Sequence, residues 1–192
     1  MSHHQDHEAD HTPEAIRKRL SEDHSQGYLK DSIYGAIDGA VTTFAVVSSV
    51  AGAGLSSSIV IILGLANLLA DGFSMASGNF LGTRAENQAA RKARREEEEE
   101  IEHHPEGERE EIRQIYAAKG FKGETLEKIV AVITADKTRW LDTMMQEEHG
   151  QVGSPPSALK AALATFFAFL VIGAIPLSPY IVDLIDPEII AS

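Results

Sequence analysis

The stretch from Ile59 to Leu81 constrains the fold of this chain more than any other part of it. About 20 helical residues, each rising about 1.5 Å, are enough to cross the roughly 30 Å hydrocarbon core of a bilayer. Asn67 and Asp71 lie near the middle of the stretch, one turn apart and therefore on one helical face. Because an ionisable group at membrane depth is costly unless it faces protein, water or an ion, this face is a candidate functional site. The face continues through Ser74, Met75 and Gly78.

The alternative is a soluble, buried helix in which Asp71 is a hydrogen-bonded core residue. An earlier apolar block, residues 32–55, argues against this alternative because it is also long enough to span a membrane. Asp38 is the only charged residue in that block, and Gly35 and Gly39 lie beside it. Small residues at this spacing let membrane helices approach closely, so the carboxylate is expected near a packed helix interface rather than against lipid.

A third apolar block covers residues 158–182 and is punctuated by two prolines near its end. We therefore predict an all-α membrane protein with three transmembrane helices. Residues 32–82 form a hairpin of the first two helices, because the turn between them is short, polar and uncharged. Residues 158–182 form the third helix, and residues 183–192 begin a further C-terminal part.

The distribution of lysine and arginine predicts the orientation. Basic residues flank the first two helices on their outer sides, whereas the turn between the helices has none. By the positive-inside tendency, residues 1–31 and residues 83–157 are both cytosolic. The first of these segments is a polar tail with five histidines, which could hold a transition metal loosely or could simply be solvated; within it, residues 13–20 fit a short basic helix at the membrane surface. The flanking basic residues are Arg17, Lys18, Arg19 and Lys30 on one side and Arg84, Arg91, Lys92, Arg94 and Arg95 on the other.

Residues 83–157 are highly charged and predict a cytosolic helical domain of three helices. The first continues the second transmembrane helix and breaks near Pro105–Gly107. The second stops at Lys119–Gly120, and the third runs from near Glu124 to Gly150, a plausible C-cap. The domain ends where a Gly-Ser-Pro-Pro-Ser sequence breaks the helix before the third apolar block.

The acidic residues of this domain are spaced for a metal site. Glu97 and Glu100 are three residues apart on one helix, and Glu108 and Glu111 repeat that spacing on the next. Facing helices in bundles bind iron or manganese with carboxylates arranged in this way. His104 would join the first pair if its helix persists that far. The alternative is a solvated, self-repelling acidic face.

The third predicted helix adds two thioethers and further acids near its end. Met144 and Met145 precede Glu147, Glu148 and His149. Together they make a mixed soft and hard ligand set, suited to first-row transition metals rather than to magnesium or calcium. The alternative is that both methionines fill the core.

Several function classes are disfavoured by composition and motifs. A formal net charge of −12 argues against a nucleic-acid partner. There is no cysteine, which excludes disulfides and thiolate chemistry. No phosphate-binding loop, nucleophile elbow or zinc-protease helix is present. We therefore do not expect an enzyme.

Over residues 30–182 the chain resembles the vacuolar iron transporter family, and its motifs follow the family's order. The resemblance is carried by YGAIDGAVTTFAVV in the first apolar block and GFSMASGNFLGTRAE in the second. REEEEEI and WLDTMMQEEHG in the charged region, and IPLSPY in the third block, complete it. It implies a homodimeric carrier in the lipid bilayer that exchanges Fe2+ or Mn2+ (with Zn2+ as a further candidate) for protons and removes the metal from the cytosol. The membrane would be the inner membrane in a bacterium and a vacuolar-type membrane in a eukaryote.

The resemblance also assigns residues to roles. The membrane pathway falls on Asp38 and Met75, and Asn67 stands where plant members carry a glutamate, with Asp71 one turn later as a substitute. An asparagine at this position cannot exchange a proton as a glutamate can, so the departure affects how metal transport would be coupled to protons. The family has five membrane helices, so the three predicted here suggest a fragment. Alternatives of other classes are a membrane-tethered iron buffer or sensor and a ferroxidase. The implied cytosolic metal ligands are Glu97, Glu100, Glu108, Glu111, Met144, Met145 and Glu148.

Overall fold

The fold was analysed in a computed structural model that describes residues 12–21, 28–151 and 153–185. All regular secondary structure in these ranges is helical. The five histidines of the N-terminal tail, His3, His4, His7, His11 and His24, lie outside the described residues. The helices are α1 (Pro13–Ser21), α2 (Leu29–Gly52), α3 (Ser57–His103), α4 (Pro105–Ala118), α5 (Gly123–Thr134), α6 (Lys137–Glu147), α7 (Ala158–Gly173) and α8 (Ser178–Ile185), with a 3-10 turn at Ile175–Leu177 between the last two.

Three segments are long and apolar enough to cross a membrane: Leu29–Gly52, the α3 helix, and Ala158–Ile185. This confirms the three predicted spanning segments, and the predicted α1 helix is also present. Many of their large apolar side chains are exposed, including Phe44, Leu69 and Phe73, each more than half accessible. Such a dense apolar surface is costly in water and is stabilised in contact with lipid tails.

The chain divides into two compact units. The membrane unit comprises the described residues up to Arg84 and those from Ser154 onward, and the acidic unit comprises Ala85–Gly153. The sequence assigned residues 83–157 to a separate helical domain, and the boundaries differ by only a few residues. Each unit has its own apolar core.

The membrane unit is held together by close helix contacts at glycine. A Cβ atom on Gly35 would lie 2.3 Å from the carbonyl oxygen of Thr165, and one on Gly39 would lie 2.5 Å from that of Phe169. These distances leave no room for a side chain, so α2 and α7 touch backbone to backbone. Gly173 makes the reciprocal approach to Gly39. The small-residue pair beside Asp38 therefore does form a packed helix interface.

The acidic unit packs around large side chains instead. Its core contains Ile112, Val130, Trp140 and Met144, each at most 5% exposed. Helices α4, α5 and α6 each place an apolar face on this core, and α3 contributes Ile101.

In the acidic unit the predicted break near Pro105 is confirmed, whereas the predicted helix from Glu124 to Gly150 is wrong. The break after α3 falls at His104, and Pro105 is already the first residue of α4, the position where its missing N–H costs nothing. The single helix predicted from Glu124 to Gly150 is two helices, because Asp136 interrupts it. The Asp136 carboxylate accepts a hydrogen bond from the Arg139 N–H at 2.7 Å and caps α6. The predicted three-helix insert therefore has four helical segments.

Gly150 does end the last of these helices. It has a φ of 64°, a left-handed conformation that favours glycine. The N–H of Gln151 then donates to the carbonyl of Met145 at 3.0 Å and closes the final turn.

Candidate metal sites

The acidic unit buries two glutamates side by side. Glu97 on α3 is 2% exposed and Glu108 on α4 is 5% exposed. One carboxylate oxygen from each, together with one from Glu100, lies within 4.8 Å of the others. Predicted acids from both helices therefore do converge, across the break at His104.

The buried carboxylates are incompletely satisfied. Glu97 Oε1 and Glu108 Oε2 are both buried and neither has a hydrogen-bond partner. An ionised carboxylate only accepts hydrogen bonds, so two of them cannot satisfy each other without a proton or a cation between them. Since burial of a charged group is costly, the arrangement calls for one or the other.

The pKa values report the same crowding. Burial, the adjacent Glu97 carboxylate and the charges of Glu111 and Glu100 raise the pKa of Glu108 to about 8. Burial and the charges of Glu148, Glu97 and Glu100 also raise the pKa of Glu111. A cluster that holds a proton at neutral pH without metal will release it when a divalent ion binds.

A second group of potential ligands includes Glu97 again. One ligand atom from each of Glu97, Glu148 and His149 lies within 4.8 Å of the others. His149 Nε2 is 3.3 Å from Glu97 Oε2. By contrast, His104 lies beyond the end of α3 and is exposed, so it does not continue the Glu97–Glu100 face as an unbroken helix would have allowed.

Met144 and Met145 are both buried in the core of the acidic unit, at 0% and 4% exposure. Their neighbours there include Ile112 and Trp140. This placement fits the core-filling interpretation. A role for either thioether as a metal ligand stays a prediction.

In the membrane unit, the predicted pathway residues are all half-buried. Asp38 lies on α2, and Asn67, Asp71 and Met75 lie on successive turns of α3. Met75 packs against the apolar cluster of this unit. The Asn67 side-chain nitrogen is buried without a partner. Within the described residues, no hydrogen bond or ion pair joins Asp38 to the α3 stripe.

One polar network in the membrane unit was not predicted. The Asn79 side-chain nitrogen donates to Asp31 Oδ1 at 2.9 Å and to Thr165 Oγ1 at 2.7 Å. Thr83 Oγ1 donates to the Asn79 side-chain oxygen at 3.3 Å. The network ties α2, α3 and α7 together. The sequence offers no signal for it beyond four polar residues in or beside the apolar blocks.

Comparison with known proteins finds one family and relatives that are named as vacuolar iron transporters. The model of the VIT family matches residues 29–192. A vacuolar iron transporter of Toxoplasma gondii is 37% identical over 160 residues, which is 82% of this chain and 53% of the relative. A vacuolar iron transporter of Plasmodium falciparum is 35% identical over 157 residues, 80% of this chain and 58% of the relative. Vacuolar iron transporter 1 of Arabidopsis thaliana is 34% identical over 153 residues, 79% of this chain and 61% of the relative. The chain thus spans between half and two thirds of the length of these relatives.

Proposed function

The chain belongs to the VIT family, and from this premise we propose that it moves Fe2+ or Mn2+ out of the cytosol across a membrane. The proposed carrier is a homodimer that exchanges the metal for protons. Residues 1–31 and the acidic unit face the cytosol, as the basic flanks suggest. The membrane is the inner membrane in a bacterial cell and a vacuolar-type membrane in a eukaryotic one.

The observation that carries the proposal is the buried pair of carboxylates in the acidic unit. Glu97 and Glu108 are almost fully buried, and each has an oxygen without a partner. A divalent cation between them would offset both the desolvation and the repulsion. Glu100, Glu111 and Glu148 add charge around the same position. The acidic unit would therefore collect metal from the cytosol.

Displacement of the Glu108 proton by a metal ion would couple metal binding at this site to proton exchange. With the pKa of Glu108 raised to about 8, the metal-free cluster carries a proton at cytosolic pH. Metal binding displaces that proton, and acidification favours metal release. Carboxylates in the membrane unit would act in the same way on the far side.

In the membrane unit we assign the pathway to Asp38, Asn67, Asp71 and Met75. Carboxylate and amide oxygens replace part of the water shell of a hard ion, and the thioether adds preference for a transition metal. A second copy of the chain would complete the pathway, because no hydrogen bond or ion pair joins Asp38 to the α3 stripe within the described part of this one.

The test is metal flux into liposomes that contain the full chain, with an inward-acidic pH gradient and a dye that reports internal Fe2+. Asp38→Asn and Met75→Ala are each expected to abolish uptake without changing the helical content measured by circular dichroism. Ser48→Ala, an exposed change on the same helix as Asp38, is the matched control. Unchanged uptake by both pathway variants would contradict the assigned pathway.

The same preparation separates the alternatives. A membrane-tethered buffer or sensor would bind Fe2+ with no flux in any variant. The self-contained carboxylate cluster is the observation that favours this alternative function. A ferroxidase consumes oxygen catalytically when Fe2+ is added.

A further inference from the structure

His149 occupies a position that the predicted ligand set leaves out. It lies just beyond the end of α6, before the left-handed Gly150. Its Nε2 atom is 3.3 Å from Glu97 Oε2, although 52 residues separate the two in sequence. The imidazole is about one third exposed, whereas the Glu97 side chain is 3% exposed. His149 thus reaches a buried carboxylate from the solvent side.

The distance fits a shared metal as well as a long hydrogen bond. Charge-assisted N–H···O bonds are usually about 2.7–2.9 Å long. Two ligand atoms around a tetrahedral ion, each about 2.05 Å from it, are about 3.3 Å apart. The 3.3 Å separation between His149 and Glu97 matches that spacing. A Glu148 oxygen in the same group supplies a third ligand.

Glu97 forms no ion pair with a lysine or arginine in the part of the chain that the structure describes. Several basic residues of the acidic unit pair with other acids: Lys137 with Glu98 and Glu102, and Arg94 with Asp142. Within the described residues, no lysine or arginine forms an ion pair with Glu97, Glu100, Glu108, Glu111 or Glu148. The buried Glu97 carboxylate therefore presents Oε2 to His149 and leaves Oε1 unpartnered.

We propose that His149 is a metal ligand, completing with Glu97 and Glu148 a nitrogen-containing position next to the all-carboxylate one formed by Glu97, Glu100 and Glu108. The inference rests on the metal-gathering role proposed above. Glu97 belongs to both groups, so the two positions share a carboxylate. An imidazole nitrogen favours Fe2+, Co2+ and Zn2+ over Mn2+, Mg2+ and Ca2+, which prefer oxygen. His149 would thus set which ions the acidic unit selects.

The test compares Co2+ and Mn2+ binding to the full chain in detergent. Co2+ reports nitrogen ligation through its visible absorption, and Mn2+ probes the oxygen ligands. The five N-terminal histidines are replaced by glutamine throughout, so that they do not contribute to the Co2+ spectrum. His149→Gln is the test variant, and His104→Gln, an exposed histidine of the same unit, is the matched control.

We expect His149→Gln to weaken Co2+ binding at least about tenfold and to remove the nitrogen-dependent absorption, with Mn2+ affinity nearly unchanged. His104→Gln should change neither. Trp140 is the only tryptophan and is buried in this unit, so its emission checks that each variant is folded.

Two outcomes overturn the inference. Unchanged Co2+ binding and absorption in His149→Gln would show that the imidazole is not a ligand. An equal loss of Co2+ and Mn2+ affinity would show that His149 only positions Glu97. Glu97→Gln separates these results from the proposed function. If Glu97→Gln loses both metals and His149→Gln binds normally, the carboxylate site is supported without the histidine. If Glu97→Gln binds both metals normally, the metal-gathering role itself is contradicted.

Discussion

The two units of this chain place ionisable groups away from water in different ways. In the acidic unit, carboxylates from α3 and α4 converge, and Glu97 and Glu108 are almost fully buried with unsatisfied oxygens. In the membrane unit, Asp38 and Asp71 are only half-buried and lie on different helices, and no hydrogen bond joins them within the described residues. The acidic unit therefore brings the proposed ligands together within one chain. In the membrane unit the proposed pathway residues stay apart, which is why we propose that a second copy completes the pathway.

The units also differ in how their helices pack. Large apolar side chains fill the acidic unit, whereas glycines bring α2 and α7 of the membrane unit together. In water the hydrophobic effect drives the first kind of packing. In lipid that driving force is absent, and close van der Waals contact takes its place. Substitutions should therefore affect the two units through different mechanisms.

The largest expected effect concerns Met144, which is fully buried in the acidic core. Met144→Ala leaves a cavity and should cost about 2–5 kcal/mol in unfolding free energy. Met144→Leu preserves volume and should cost less than about 1.5 kcal/mol. Denaturant unfolding followed by Trp140 emission measures both.

The same pair of variants sharpens the question of ligation. If Met144 only fills the core, Met144→Leu keeps Fe2+ affinity at the wild-type value. A large loss of affinity in a variant of nearly normal stability would instead identify the thioether as a ligand.

A smaller effect is expected at Gly39 of the membrane unit. In Gly39→Ala the new Cβ atom would meet the Phe169 carbonyl oxygen at 2.5 Å, a backbone atom that no rotamer change can move. We expect a cost of about 1–3 kcal/mol, seen as a lower midpoint of thermal unfolding in detergent. Gly78→Ala is the control, because a Cβ there contacts nothing within 4 Å. Equal midpoints for the two variants would contradict backbone-to-backbone packing.

The smallest effect, taken as the change in unfolding free energy per pH unit, is expected from the titration of Glu108. Its pKa is raised on folding from an ordinary value of 4.5 to about 8, so the folded state holds the proton more tightly. The stabilisation is complete below about pH 4.5 and is lost as pH rises towards 8, by at most about 1.4 kcal/mol per pH unit. Metal-free wild type should therefore lose stability over this range, and Glu108→Gln should largely remove the slope. A wild type whose stability rises with pH there would contradict a protonated Glu108.

Much of the architecture could be predicted because it depends on local pattern. The apolar blocks are long enough to define three spanning segments, and the i, i+3 spacing of glutamates placed Glu97 and Glu100 on one face. The split at Asp136 is not predicted, because the stretch around it, Thr-Ala-Asp-Lys-Thr, fits a continuous helix as well as it fits a cap. Its Asp–Arg139 contact is nonetheless a standard N-cap arrangement.

The rest depends on contacts between residues far apart in sequence. Nothing local indicates that His149 would meet Glu97, or that Asn79 would bond both Asp31 and Thr165. The burial of Glu97 could not be predicted either. A run of five glutamates is typical of a solvated helix face, yet Glu97 alone within it is buried. Glu97 is the residue of this run that lies next to Glu108 of α4.

The burial of Met144 and Met145 has a chemical consequence for the iron-carrying function proposed above. Fe2+ reacts with peroxide to give hydroxyl radicals, and thiols and thioethers are among the first groups they oxidise. The chain has no thiol, and these two thioethers are enclosed by apolar neighbours. Sulfoxide formation there would place a polar group in the core of the acidic unit. Shielding the pair from solvent would thus protect the unit from oxidation driven by the proposed Fe2+ cargo.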